Sequence, residues 1–229
     1  MVSIDSWWLR AGLADLMDCV DRCDDALAFV LAASFDPLAA AGAVNGLRVL
    51  LDLAVRGGRR VELLRSDVTA IGFAALGGSL GTIGINTATR HHGLGIRRSR
   101  QAQQDYEERH RSPYVFVPAL LSWHRGTELG ALTPFDGAGI TRCDCPVCGG
   151  RDLLRFDQLH LPTVPAAIRR EAMLHDLHCC IALARRVLTS ADPAATWIAE
   201  CRSAVEISRG ITSVYKVLLT VPTSVSGWL

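Results

Sequence analysis

Short apolar runs alternate with helical patterns over the first 140 residues of the chain. Residues 27–32 are continuously apolar, which is typical of a strand covered on both faces. Asp36 and Pro37 follow, and they predict a helix with Asp36 as its N-cap residue. We expect that helix to end before Gly57. The pattern predicts further strands at residues 61–64, 70–75 and 114–117, and an exposed, arginine-rich helix at residues 97–111.

The alternation of strand and helix predicts an α/β fold with a parallel sheet and crossover helices. A complete eight-stranded (β/α) barrel needs about 250 residues, or roughly 31 for each strand–helix unit. Residues 1–140 therefore hold about four units, and we expect a partial TIM-type barrel there. An incomplete barrel leaves an exposed edge or apolar face, so we also expect a homo-oligomer or a second subunit that completes the barrel.

The pattern changes to helix in the C-terminal region, residues 141–229. Residues 166–188 contain neither Gly nor Pro and predict one long helix. Asp192 and Pro193 predict the start of a second helix, and Gly210 its end.

Composition narrows the class of protein. Apolar residues make up 49% of the chain and charged residues 21%, which is typical of a globular protein. The net charge of +1 excludes a chain that binds polyanions along its whole surface. No apolar run reaches the roughly 18 residues of a membrane span, and the first residues lack the layout of a signal peptide. We therefore expect a cytoplasmic protein without membrane association.

Three of the eight cysteines, Cys143, Cys145 and Cys148, crowd into six residues. Thiols at this C-x-C-x2-C spacing, in a turn with Pro and Gly, can close on one metal ion, and zinc prefers four Cys or His ligands. The candidates for the fourth ligand share one face of the helix predicted at residues 166–188: His175, His178 and Cys179. The alternatives are an iron–sulfur cluster and a set of buried, apolar cysteines. Because three Cys and one His fill a tetrahedral shell, we predict a structural zinc site.

This motif resembles the zinc signature of the tRNA-guanine transglycosylases, in which Cys-x-Cys-x2-Cys precedes a helix that opens with His-Asn-Leu-His. Here the helix reads His175-Asp176-Leu177-His178, with 26 residues between Cys148 and His175. The resemblance covers about residues 140–190 and implies that His175 is the fourth ligand, with Asp176 in the place of Asn. It further implies a TIM barrel and exchange of guanine for a 7-deazaguanine base in tRNA or DNA, with an Asp nucleophile and a covalent intermediate.

The reaction needs a carboxylate at the carboxyl end of a barrel strand. Asp67 follows the predicted strand 61–64, beside Arg65, and Asp136 precedes the cysteine motif, as the family's nucleophile does. We rank Asp67 first; the alternative for each is a helix cap. The loop with Gly77 and Gly78, placed after the predicted strand 70–75, loosely resembles the family's base-binding loop; the alternative is a tight turn.

The arginine-rich segment is interpreted either as a solvated helix face or as a set of phosphate contacts. The alternatives to a transglycosylase are a catalytically inactive, zinc-stabilised accessory or nucleic-acid-binding protein, and a fragment of a larger transglycosylase.

Overall fold

The computed structural model describes seven stretches of the chain: residues 1–23, 26–32, 36–84, 113–130, 139–157, 164–215 and 222–229, with the backbone alone at 213–215 and 223. The predictions at Asp136 and at residues 97–111 lie outside these described residues.

A four-stranded parallel sheet forms the first half of the molecule, with the strands in the order in which they occur along the chain. The strands are β1 (Val2–Ile4), β2 (Leu27–Leu31), β3 (Val61–Ser66) and β4 (Leu80–Ile83). The helices between them are α1 (Leu13–Asp21), α2 (Ala43–Arg56) and α3 (Thr69–Ala75). The predicted α/β class with a parallel sheet is confirmed. This sequential strand order occurs both in barrels and in singly wound open sheets, so it does not distinguish the two architectures.

The two faces of the sheet differ in burial. Phe29 and Leu63 are register partners on β2 and β3, and both are fully buried. Glu62 and Leu64, which point to the other face, are half-buried. The first face therefore carries the core of this half of the molecule.

A two-stranded antiparallel hairpin follows, formed by β5 (Tyr114–Val117) and β6 (Ser122–Arg125), with the short helix α4 (Gly126–Leu129) after it. The strand predicted at 114–117 is confirmed, but it pairs with β6 and joins no parallel strand in the described part of the chain. The last helices are α5 (Ala166–Leu188), α6 (Pro193–Tyr215) and α7 (Thr223–Ser226).

Three expectations about element boundaries are wrong. Residues 70–75 belong to helix α3, which packs between β4 and the two long helices α5 and α6. A short helix buried on all sides has the same continuous apolar sequence as a buried strand. Helix α2 begins at Ala43 and not at Pro37: the Asp36 carboxylate accepts from the amide of Leu38 at 2.9 Å and from the Ser224 hydroxyl, and it caps no helix. Helix α6 continues past Gly210, which costs a helix about 1 kcal/mol but does not end it.

The long helix α5 has the predicted bounds, and it connects the two parts of the fold. It packs against α3, α6 and the hairpin strand β5. None of the helices in the described ranges is both long enough and apolar enough to cross a membrane.

Candidate metal centre

The three cysteines lie in a tight turn that folds back on itself. The amides of Cys148 and Gly149 both donate to the carbonyl oxygen of Cys145 at 2.9 Å, and the amide of Gly150 donates to that of Cys143 at 3.0 Å. Gly149 and Gly150 have φ angles of 56° and 81°, a conformation that glycine adopts without strain. The turn thereby directs the thiols towards α5.

His175 is completely buried on α5, and its ring is oriented by the hairpin. Its Nε2 lies 2.8 Å from the carbonyl oxygen of Phe116 in β5, so Nε2 carries a proton and donates it. The other nitrogen, Nδ1, faces the sulfurs of Cys148 at 3.2 Å, Cys179 at 3.5 Å and Cys145 at 3.6 Å. A histidine that ligates a metal usually donates its second N–H to a carbonyl or carboxylate in this way.

Four donor atoms lie within 4.8 Å of one another: the sulfurs of Cys143, Cys145 and Cys179 and a ring nitrogen of His175. Within this set the two buried thiols, Cys143 and Cys179, are 3.5 Å apart. Ligands of tetrahedral zinc are separated by about 3.5–3.8 Å, given Zn–N and Zn–S bonds of about 2.1 and 2.3 Å. This Cys3His cluster has the donor types and spacings to bind a metal ion.

Cys148 is a fifth donor, with a cationic partner of its own. Arg155 donates from Nη2 to the Cys148 sulfur at 2.9 Å, and from Nη1 to the carbonyl oxygen of Asp152 at 2.6 Å. Glu171 on α5 accepts from Nε of Arg155 at 3.0 Å and holds the guanidinium in place. Such hydrogen bonds stabilise a sulfur in its thiolate form.

Without a bound cation, the cysteine thiols of the cluster have very different pKa values. A hydrogen bond from the Cys179 thiol lowers the pKa of Cys143 to about 3, and the same contact raises the pKa of Cys179 far above its usual range. Burial raises the pKa of Cys148 to about 12, against the opposing effect of Arg155. Several of these thiols can be ionised together only when a cation enters the cluster, so metal binding must release protons.

The pKa of His175 follows from two opposed effects. Burial disfavours the charged ring, but hydrogen bonds, first of all the one with Cys143, outweigh burial and raise the pKa to about 9. A neighbouring thiolate and imidazole also occur in catalytic Cys–His pairs. Here the exposed fractions of Cys143 and His175 are 7% and 0%, so the pair is closed to a substrate and suits a structural role.

The structure brings the predicted ligands Cys143, Cys145, Cys148 and His175 together. His178, the other histidine of the motif, is half-buried and lies outside the donor cluster. Cys179 was one of the open candidates, and its place in the cluster follows from the i, i+4 spacing to His175. Arg155 had no signal in the sequence, because its contact with Cys148 depends on how the turn folds.

Asp67 lies at the carboxyl end of β3, which is the position predicted for it from the sequence. Its Oδ1 accepts from the amide of Thr69 at 2.9 Å and from the Thr69 hydroxyl at 2.6 Å. Arg65, two residues earlier, is exposed, has a φ of 55° and sits at an irregularity in the pairing of β3 with β4. Bulges of this kind are common beside active sites.

Asp36 belongs to the same edge, and sequence reasoning missed it as a functional residue. Burial and the charge of Asp67 raise the pKa of Asp36 to about 7, while hydrogen bonds from Ser224 and Leu38 oppose the shift. The available signal was its position: Asp36 follows β2 as Asp67 follows β3.

The structure does not bring Gly77 and Gly78 to this edge. They follow α3 and precede β4, so they lie at the amino end of the parallel strands, opposite Asp67. The expectation that they follow a strand is wrong. Gly77 has a φ of 103°, and a Cβ on Gly78 would lie 2.2 Å from the Phe73 ring. Both observations agree with a tight turn.

Comparison with family models, with curated proteins and with solved structures finds no match for this chain. The metal cluster and the carboxylates at the sheet edge are therefore interpreted from their own chemistry.

Proposed function

We propose that the cluster holds one structural zinc ion, with Cys143, Cys145, Cys148 and His175 as its ligands. The observation that supports this most directly is the orientation of His175. Its Nε2 donates to the carbonyl oxygen of Phe116, while Nδ1 faces the thiols. A closed shell of Cys and His is the preference of structural zinc.

The choice of Cys148 over Cys179 rests on charge. Three thiolates leave a zinc centre with one negative charge, and the guanidinium of Arg155 at 2.9 Å from Cys148 neutralises it. The described partners of Cys179 are Cys143, Cys145 and His175, and none of these is a cation once His175 binds the metal. In this assignment Cys179 stays a neutral thiol packed against the metal shell.

Elemental analysis of the purified protein tests the site directly. We expect one zinc per chain, and a lower melting temperature after removal of zinc with a chelator, because binding energy contributes to folding. A folded chain that contains no metal would overturn the proposal.

We further propose that the chain belongs to a base-exchange system of the transglycosylase type and acts on guanine in tRNA or DNA. The cysteine motif supports this, as do two carboxylates at the carboxyl edge of a parallel sheet, where the loops around a substrate gather. Asp36 and Asp67 have unequal environments, and a raised pKa beside an ionised carboxylate suits an acid and a nucleophile.

The roles proposed for Asp67 and Asp36 account for each bond and proton in one base exchange. The carboxylate of Asp67 attacks the anomeric carbon and displaces the base, which takes up the proton of Asp36 as the glycosidic bond breaks. The incoming base returns its proton to Asp36 and attacks the same carbon, and the Asp67 carboxylate is released.

Incubation with labelled guanine and bulk tRNA or DNA tests the reaction. We expect incorporation by the wild-type chain and a loss of at least a hundredfold with Asp67→Asn, which removes the nucleophilic charge. Asp52→Asn, on the exposed side of α2, is the matched control and should keep full activity. Activity that survives both Asp67→Asn and Asp136→Asn would exclude these two residues as the nucleophile.

A second candidate is an accessory protein that has the same fold and metal but lacks the chemistry. The observation that favours it is the use of Asp67 Oδ1 by two groups of Thr69, which is the pattern of a residue at a helix start. Absence of incorporation, together with full zinc content and salt-dependent binding of tRNA or DNA, would support this candidate.

A further inference from the structure

Helix α5 carries an apolar stripe on its exposed side. The stripe consists of residues spaced alternately three and four apart: Leu174, Leu177, Ile181, Ala184 and Leu188. The four large side chains are 36–46% exposed. Spacing of 3-4-3-4 is the pattern by which one helix packs along another. We call these five residues the α5 stripe.

The opposite side of α5 is already buried within the protein. Ala172, Cys179 and Leu183 are buried there, beside the metal candidate His175. A surface helix normally presents polar residues to water on its outer side, whereas a helix that is apolar on both sides is normally buried on both. The α5 stripe therefore has the composition of an interface.

A groove borders the stripe on one flank. It encloses about 240 Å3 between Leu177, Ile181 and Ala184 of α5 and residues of two strands, Ile83 of β4 and Trp123 of β6. Its walls are mainly apolar side chains. The groove provides a recess for large side chains of a helix lying along the stripe.

The charges around the stripe identify the kind of partner. Arg170 lies on the line of the stripe one turn before Leu174, and Arg185 lies one turn after Ile181; both are exposed. No salt bridge in the described part of the chain includes either of them. Both acids of α5 are already engaged: Glu171 is bound to Arg151 and Arg155, and the buried Asp176, which lines the groove, accepts from the amide of Phe116. Cationic side chains therefore lie before the stripe and beside its second half.

A second copy of the chain fits this surface poorly. In a parallel pair each arginine would face its own counterpart, and such like charges disfavour that arrangement. An antiparallel pair centred on Ile181 would place Arg185 beside Leu177 of the second copy, so the stripe itself supplies no carboxylate to this arginine.

We propose that the α5 stripe binds an amphipathic helix of another protein, with leucine-type residues at 3-4 spacing and acidic residues at its margins. The apolar residues of that helix pack on the stripe and enter the groove, and its carboxylates pair with Arg170 and Arg185. This inference does not depend on the proposed base exchange.

Fluorescence anisotropy with a synthetic helical peptide tests the surface on the full-length, metal-loaded chain. The probe has Leu at 3-4 spacing and Glu at the flanking positions; one comparison peptide has Lys in place of Glu, and another has the same composition in scrambled order. We expect the Glu peptide to bind about tenfold or more tightly than either comparison peptide.

Variants of the stripe should change binding without changing the fold. Ile181→Asp should weaken binding of the Glu peptide by about tenfold or more, whereas Ala182→Asp, an exposed change off the stripe, should not. Arg170→Glu combined with Arg185→Glu should reverse the preference between the Glu and Lys peptides. Metal content and circular dichroism verify that each variant is folded.

Three results would overturn the proposal: equal binding of the Glu and scrambled peptides, binding unaffected by Ile181→Asp, or a dimer in sedimentation that Ile181→Asp dissociates. The last result would assign the stripe to a second copy of the chain.

Discussion

Ser224 in α7 donates its hydroxyl hydrogen bond to the Asp36 carboxylate, 188 residues earlier in the chain. This contact ties the C-terminal helix to the loop after β2 and closes one side of the carboxyl edge of the sheet. Ser224 is fully buried, so the carboxylate it contacts is largely removed from water. The burial that positions Asp36 also makes its ionisation unfavourable.

Asp36 should make the folded protein less stable as the pH rises from about 4 to about 7. Burial and the charge of Asp67 raise the folded-state pKa from 3.8 to about 7, so in this range the folded state binds more protons than the unfolded state. The free energy of unfolding then falls by at most about 1.4 kcal/mol per pH unit from this group. Asp36→Asn cannot titrate and should flatten the curve.

Urea unfolding of the wild-type chain and Asp36→Asn at pH 4.5 and pH 7 measures the effect. The variant should gain stability relative to the wild-type chain towards pH 7, and the cysteines contribute equally to both. Asp67→Asn should reduce the pH dependence, because it removes the second cause of the shift. Parallel pH curves for wild type and Asp36→Asn would contradict the prediction.

Single serine variants should separate Cys148 from Cys179 as ligands. Cys148→Ser removes a proposed ligand and should reduce zinc affinity strongly, by a hundredfold or more, whereas Cys179→Ser should reduce it by less than about tenfold. Competition with a chromogenic chelator gives both affinities. The reverse ranking would assign the fourth position to Cys179, and Cys19→Ser, at an exposed cysteine, is the matched control.

Asp176 should be needed for stability through its contact with the strand. Its Oδ1 accepts from the amide of Phe116 at 2.7 Å in a buried site. Asp176→Ala leaves that amide without its partner and should cost about 1–3 kcal/mol, whereas Asp176→Asn retains an accepting oxygen and should cost less. Chemical denaturation of both variants with zinc bound checks the difference. Equal losses would mean that the charge matters more than the hydrogen bond.

Two helical glycines should respond oppositely to alanine. A Cβ on Gly46 in α2 would lie 1.7 Å from the carbonyl oxygen of Leu9, so Gly46→Ala should force the backbones apart and cost several kcal/mol. Gly210 in α6 has open space around it, so Gly210→Ala should stabilise the chain by up to about 1 kcal/mol. Thermal unfolding of the pair is the measurement, and a stable Gly46→Ala protein would contradict the close approach.

Secondary structure was predicted correctly where the residue pattern fits only one kind of element. Helix 166–188 was predicted with its observed bounds because 23 residues without Gly or Pro are far longer than a typical strand and rich in helix-forming Ala, Leu and Arg. Residues 70–75 were misassigned because apolar sequence reports burial, and a helix enclosed by β4, α5 and α6 is as buried as a strand. The antiparallel pairing of 114–117 depends on β6, which has no strong strand pattern of its own.

The same distinction applies to the site. Spacing alone brought Cys143, Cys145 and Cys148 into one turn and presented His175 and Cys179 from one helix face. Spacing could not rank Cys148 against Cys179, because that depends on the position of Arg155 in three dimensions. The pairing of Asp36 with Asp67 depends on the adjacency of β2 and β3, which the sequence does not specify by itself.

The contacts of Phe116 also affect how the hairpin meets other chains. Phe116 pairs with Trp123 in β6, yet its amide and carbonyl point away from β6 and are occupied by Asp176 and His175. Unoccupied backbone groups on the outer edge of a strand recruit strands from other molecules and lead to aggregation. Here α5, which carries the metal candidate His175, covers that edge with two consecutive side chains. Without these two side-chain contacts, the outer edge of the hairpin would be open to intermolecular strand pairing.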